Sequence, residues 1–185
     1  MKIGKLLVLV GAIVTLVSTF LLSFSYGNPI DGRTHISGIG FLFNLPEIWG
    51  NPGYWIATFP AYTSEDTMLI YAFSILYLFF ILSGVIQLGG LKSKYVAIIG
   101  SIIAICFGIM MAIYVTNTVI GDLELMNRFS GLFFSAPIAP GVWPLDVPIV
   151  AIGGWLNSTI TLGTITIFIG GGLGLVGGIL GIKDI

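Results

Sequence analysis

Four long stretches of the chain carry no charged residue and few polar ones: Leu6 to Ser25, Met68 to Leu91, Tyr95 to Gly121 and Ser158 to Ile182. They run to 20, 24, 27 and 25 residues. A helix needs about 20 apolar residues to cross the hydrocarbon core of a bilayer. Lipid offers no partner to a bare backbone N–H or C=O, so each stretch is predicted to be helical. The pattern predicts an all-α membrane fold in one domain, residues 1–185. Its core would be an antiparallel four-transmembrane-helix bundle with spans at 6–25, 68–91, 95–121 and 158–182. Loops at 26–67 and 122–157 join them and would form a small, β-containing extracellular cap.

The flanking charges orient this bundle. Lys2 and Lys5 precede the first stretch, Lys92 and Lys94 fill the turn between the second and third, and Lys183 follows the fourth. The long loops hold only two cations, Arg33 and Arg128, with seven acids: Asp31, Glu47, Glu65, Asp66, Asp122, Glu124 and Asp146. Lys and Arg near span ends stay on the cytoplasmic side. Both termini are therefore expected in the cytoplasm of a cell-membrane, multi-pass protein, with both long loops outside. An alternative concerns the start of the chain, where Lys2, Lys5, an apolar run and Ser23-Phe24-Ser25 resemble a cleavable signal peptide.

The first loop is rich in aromatics (Tyr26, Phe41, Phe43, Trp49, Tyr54, Trp55, Phe59 and Tyr62) and is punctuated by Asn28-Pro29, Asn51-Pro52-Gly53 and Pro60. Strand-like runs at Thr34 to Phe43 and Tyr54 to Phe59 suggest a small sheet on the outer membrane face. The alternative is an aromatic belt at the lipid headgroups. In the second loop, Asp122 to Arg128 extends the third helix without a breaker, with Glu124 and Arg128 in the favourable i, i+4 order. Helix from Lys94 to about Phe129 would be about 54 Å long and stand clear of the bilayer. Prolines at 137, 140, 144 and 148 then exclude helix, and Phe133, Phe134 and Trp143 make that segment apolar for a loop. Ser64-Glu65-Asp66 reads as the cap and acidic first turn of the second span.

Composition narrows the function. Hydrophobic residues make up 56% of the chain and charged ones 8%, against roughly 25% charged in soluble domains. The mean hydropathy is +1.06. A soluble enzyme, a nucleic-acid binder and a disordered segment are all excluded. With one Cys (Cys106) and one His (His35), one copy cannot build a bis-histidine haem, a Cys/His zinc site or a redox Cys pair. No cofactor, metal or catalytic residue is expected.

The spans contain no Asp, Glu, Lys, Arg or His. Pumps, proton relays and most ion-coupled transporters place ionisable groups there, so a self-contained transporter is disfavoured. Gln87 and Asn117 are the largest polar groups at span depth, and Gln87 is expected to bond a neighbouring helix. The fourth stretch holds Gly170, Gly174 and Gly178 at every fourth position, with Gly177 and Gly181 adding another GxxxG step. This is a surface for close helix contact, inside the bundle or between subunits. Asn157-Ser158-Thr159 matches a glycosylation sequon, and Cys106 reads as a small mid-span hydrophobe.

The layout resembles the claudin/PMP22-type tetraspan proteins. The points of likeness are both termini inside, a large first external loop, the tight Lys92–Lys94 turn, an extended third helix and a shorter second loop. Trp49-Gly50 and Tyr54-Trp55 are the nearest features to that family's first-loop motif, whose two cysteines are missing. The resemblance implies lateral self-assembly and contacts through external loops.

The expected function is a non-enzymatic structural or interaction protein that meets membrane lipid, further copies of itself or other membrane-protein subunits, and no nucleic acid. Trp49, Tyr54, Trp55, Phe133, Phe134 and Trp143 are the candidate external interaction residues. The alternatives are an accessory subunit of a larger respiratory or secretion complex, and a small transporter, channel or interfacial enzyme using His35 and the external acids.

Overall fold

A computed structural model describes residues 3–27, 34–53, 67–116, 133–136, 148–151 and 159–181. In chain order the elements are α1 (Ile3–Phe20), β1 (Ser25–Gly27), β2 (Thr34–Ile36), α2 (Gly38–Gly50), α3 (Thr67–Ile81), α4 (Ser83–Gly89), α5 (Lys94–Thr116), β3 (Ser135–Ala136), β4 (Pro148–Ala151), β5 (Thr159–Thr161) and α6 (Leu162–Leu180). Among the described residues, α1, α5 over Lys94–Ile113, and α6 are each long and apolar enough to cross a membrane.

The second apolar stretch is not one straight rod. It breaks at Leu82, and α3 and α4 are bent by 50°. Leu82 has φ −80° and ψ −2°, still right-handed but at the edge of the helical well. No proline causes this. Sharp bends also arise at Gly/Ser pairs, and Ser83-Gly84 follows Leu82 directly.

Small residues draw the helices together. A Cβ on Gly11 of α1 would lie 2.6 Å from the Gly174 backbone nitrogen and 2.7 Å from the Gly170 carbonyl oxygen. Gly177 meets Gly4 and Val8 one level down, and Gly163 meets Ser23 at the other end, so α1 and α6 run antiparallel in contact along their length. On its other side α6 meets α5, with Gly171 against Ser101 and Ile105 and Gly178 against Ile98. The short α4 fits between α1 and α5 through Gly84 on Leu16, Gly90 on Ala97, and Gly100 on Gln87.

Where α1 ends and α6 begins, an antiparallel sheet of order β3-β2-β1-β5-β4 collects strands from both long loops. Its register pairs Ser25 with Ile36 and with Ile160, and His35 with Ala136. The ladder is irregular between Pro148 and Val150, where proline has no N–H to give.

Four expectations change at this level. Ser25 and Thr159–Thr161 are strand, so the first and fourth helices are shorter than 6–25 and 158–182. The strand-like run Thr34 to Phe43 is strand only to Ile36, and α2 follows. Ser37 caps that helix, accepting a hydrogen bond from the Gly40 N–H at 3.2 Å. Phe41, Leu45 and Ile48 then fall at helical spacing toward the core. The second span is bent. Phe133 and Phe134 are core residues, as described below. The helical extension through Arg128, the cap at Ser64, the run Tyr54 to Phe59 and Asn157 lie outside the described residues.

Candidate functional site

Beyond the bend, α3 swings away from the other helices and an aromatic core fills the wedge. Phe24, Phe41, Tyr77, Phe107, Phe133 and Phe134 are each fully buried. Phe134 stacks on Phe41 at 5.1 Å between ring centroids and meets the edge of Tyr77 at 5.1 Å. Phe107 stacks on Phe80 at 5.4 Å and meets Phe24 edge-on at 5.0 Å. Asn44 Nδ2 donates to the Phe133 carbonyl at 3.0 Å, and the Ser37 N–H donates to the Phe134 carbonyl at 3.1 Å.

The expectation that Phe133 and Phe134 form an external interaction surface therefore does not hold. Their rings tie the second loop to α2, α3 and α5. A proline-rich segment too apolar for water can bury its rings in a core instead of displaying them. Trp49 does lie at the surface, 45% exposed, at the end of α2. Its Nε1–H donates to Ser74 Oγ at 2.8 Å, and Tyr71 Oη donates to the Trp49 carbonyl at 3.4 Å, so its indole is held against α3. Phe43, also on α2, is 63% exposed. Tyr54, Trp55 and Trp143 lie outside the described residues.

The glycines of α6 are taken up within the chain. Gly170, Gly174 and Gly177 face α1, and Gly171, Gly174 and Gly178 face α5. Gly181 has open space at its Cβ position and a φ of +90°, which suits a residue that ends a helix. Gly172 also points into open space.

A set of hydroxyls and one amide lies among these glycines. Ser18 Oγ donates to Thr166 Oγ1 at 2.6 Å, linking α1 to α6. Thr15 Oγ1 donates to Gln87 Oε1 at 3.2 Å, linking α1 to α4. Ser101 Oγ donates to the Ala97 carbonyl at 2.7 Å and sits against Gly174. Thr161 and Thr164 at the start of α6 donate to the carbonyls of Ser23 and Phe24. Sequence reading singled out Gln87 but not its partner Thr15, nor the Ser18–Thr166 pair. A small polar residue in step with a glycine stripe is the signal that could have found them.

Cys106 is exposed on α5, on the face away from these contacts. His35 stands in β2 opposite Tyr26 and Ala136. Among the described residues, no group of three His, Cys, Asp or Glu side chains could hold a metal ion. The geometry supports tight helix packing through small residues and, at the end where α1 meets the sheet, a layer of strands over an aromatic core. Comparison of the chain with protein-family models, curated proteins and solved structures found no match.

Proposed function

We propose that this is a non-enzymatic tetraspan membrane protein of structural or interaction type, binding a membrane-protein partner or further copies of itself through its outer end. In this reading α3 and α4 together form the second of four spans, and both termini lie in the cytoplasm. The claudin/PMP22-like layout agrees with it. The observation that carries the reading is the division of labour along the helices. The helices spend their small residues on one another, with Gly11 against Gly170 and Gly174, and Gly171 against Ser101. Thr15 bonds Gln87 and Ser18 bonds Thr166 across the helix contacts. That leaves the outer end as the part with surface to offer. Segments of both loops share one sheet there, and Phe43 and Trp49 remain exposed beside it.

Purification from native membrane in mild detergent, followed by mass measurement, tests this. A particle larger than one chain, reduced to one chain by polar substitution of Phe43 and Trp49, is the expected result. A strictly monomeric particle with no co-purifying membrane protein would overturn it.

A further inference from the structure

Serine and threonine in membrane helices usually return their hydroxyl to the carbonyl one turn earlier. Here Thr19, Ser101 and Thr166 do so, to Thr15, Ala97 and Leu162, and Ser18 gives its proton to Thr166. Ser83 does neither. It is fully buried, and its Oγ has no hydrogen-bond partner. The reason lies one residue back, because the break at Leu82 carries the preceding turn off along α3 at 50°. One helical turn further, Gln87 is also fully buried. Its Oε1 accepts from Thr15, but its Nε2 has no partner. Among the described residues, three buried side-chain atoms are unpartnered, and two of them sit on this one face of α4.

We propose that Ser83 and Gln87 bind an ordered water molecule at the bend. Residues four apart on a helix have Cβ atoms about 5–6 Å from each other, a gap that one water can bridge. The water accepts from Gln87 Nε2 and exchanges a hydrogen bond with Ser83 Oγ. It thereby satisfies two groups that an apolar interior would otherwise penalise. Bends of this kind often hold an inserted water. The occupant is neutral, in keeping with the uncharged residues around it.

The chain offers a clean probe, since Gln87 is its sole glutamine. Protein labelled with ¹⁵N-glutamine and placed in lipid nanodiscs gives one side-chain amide pair of this type, assigned by its loss in Gln87→Met. Magnetisation transfer from water to those amide protons is expected in the native protein. It should be retained in Ser83→Thr and lost in Ser83→Ala. No transfer in the folded native protein, or transfer unchanged in Ser83→Ala, overturns the proposal. The native measurement decides the point even where a variant fails to fold.

Discussion

Three successive glycines of α6 offer a graded test of how the helices are held. A Cβ on Gly170 would press on the backbone of α1, 2.8 Å from the Thr15 nitrogen and 2.9 Å from the Gly11 oxygen. A Cβ on Gly171 would lie 2.7 Å from Ile105 Cγ1, part of a side chain that can turn aside, and 3.2 Å from the Ser101 carbonyl. A Cβ on Gly172 would meet nothing within 4 Å. Backbone cannot yield, so Gly170→Ala forces α1 and α6 apart by up to about 1 Å. A gap of that size forfeits roughly a quarter to a half of each dispersion contact it opens. Overpacking of this kind costs about 1–3 kcal/mol. Gly172→Ala escapes that cost and gains up to about 1 kcal/mol of helix propensity. Gly171→Ala should fall between them. The assay is reversible unfolding in mixed micelles of mild detergent and dodecyl sulfate, followed by tryptophan fluorescence. All three variants share that propensity gain, so the expected order of stability is Gly172→Ala, then Gly171→Ala, then Gly170→Ala, with the ends about 1–3 kcal/mol apart. Equal stability of the three variants would refute the claim that these glycines act by letting backbones touch.

Other outcomes follow from the same geometry. Phe134→Ala removes a ring stacked between Phe41, Tyr77 and Phe107, and should cost about 3–5 kcal/mol in the same unfolding assay, as a core truncation does. A surface loop residue would cost close to nothing. Trp49→Phe deletes the bond to Ser74 while keeping most of the apolar area. It should cost about 0.5–1.5 kcal/mol, and Ser74→Ala combined with it should add little, which a double-mutant cycle will show. A nitroxide on Cys106, exposed on α5, should relax readily with oxygen and hardly with a charged nickel complex in lipid vesicles. The opposite preference would mean that this face of α5 meets water.

Apolarity along the chain told where helices would lie, but not what each apolar group would touch. The stretches that became α1, α5 and α6 were legible because length and lack of charge suffice for a span. The strand at Thr159–Thr161 was hidden inside the fourth stretch, because Thr-Ile-Thr counts as apolar whichever structure it adopts. Phe133 and Phe134 were legible as misfits in a proline-rich loop, yet an apolar misfit can face lipid, a partner or the protein's own core. Only the partners Phe41, Tyr77 and Phe107, distant in sequence, decide between these. The start of α2, as far as Phe43, reads as strand because Thr-His-Ile begins as one, and only the cap at Ser37 marks the change to helix.

The bend at Leu82 follows from the sizes of the residues on either side of it. Below it, Gly84, Gly90, Ala97 and Gly100 bring α4 into near backbone contact with α1 and α5. Above it, Tyr77, Phe80 and Phe107 place whole rings between α3 and its neighbours. The distance between packed helices depends on the side chains at the contact. One straight helix cannot lie close at its lower end and a ring's width away at its upper end without leaning over its whole length. Leaning would pull Gln87 off Thr15 and Gly84 off Leu16. Breaking at Ser83-Gly84 keeps both, and opens the wedge that Phe41, Phe133 and Phe134 fill. The loop segments that carry those rings are thereby anchored among the helices, and the sheet above them inherits a fixed base. A change that straightened the second stretch would close that wedge and be felt first in the sheet that rests on it.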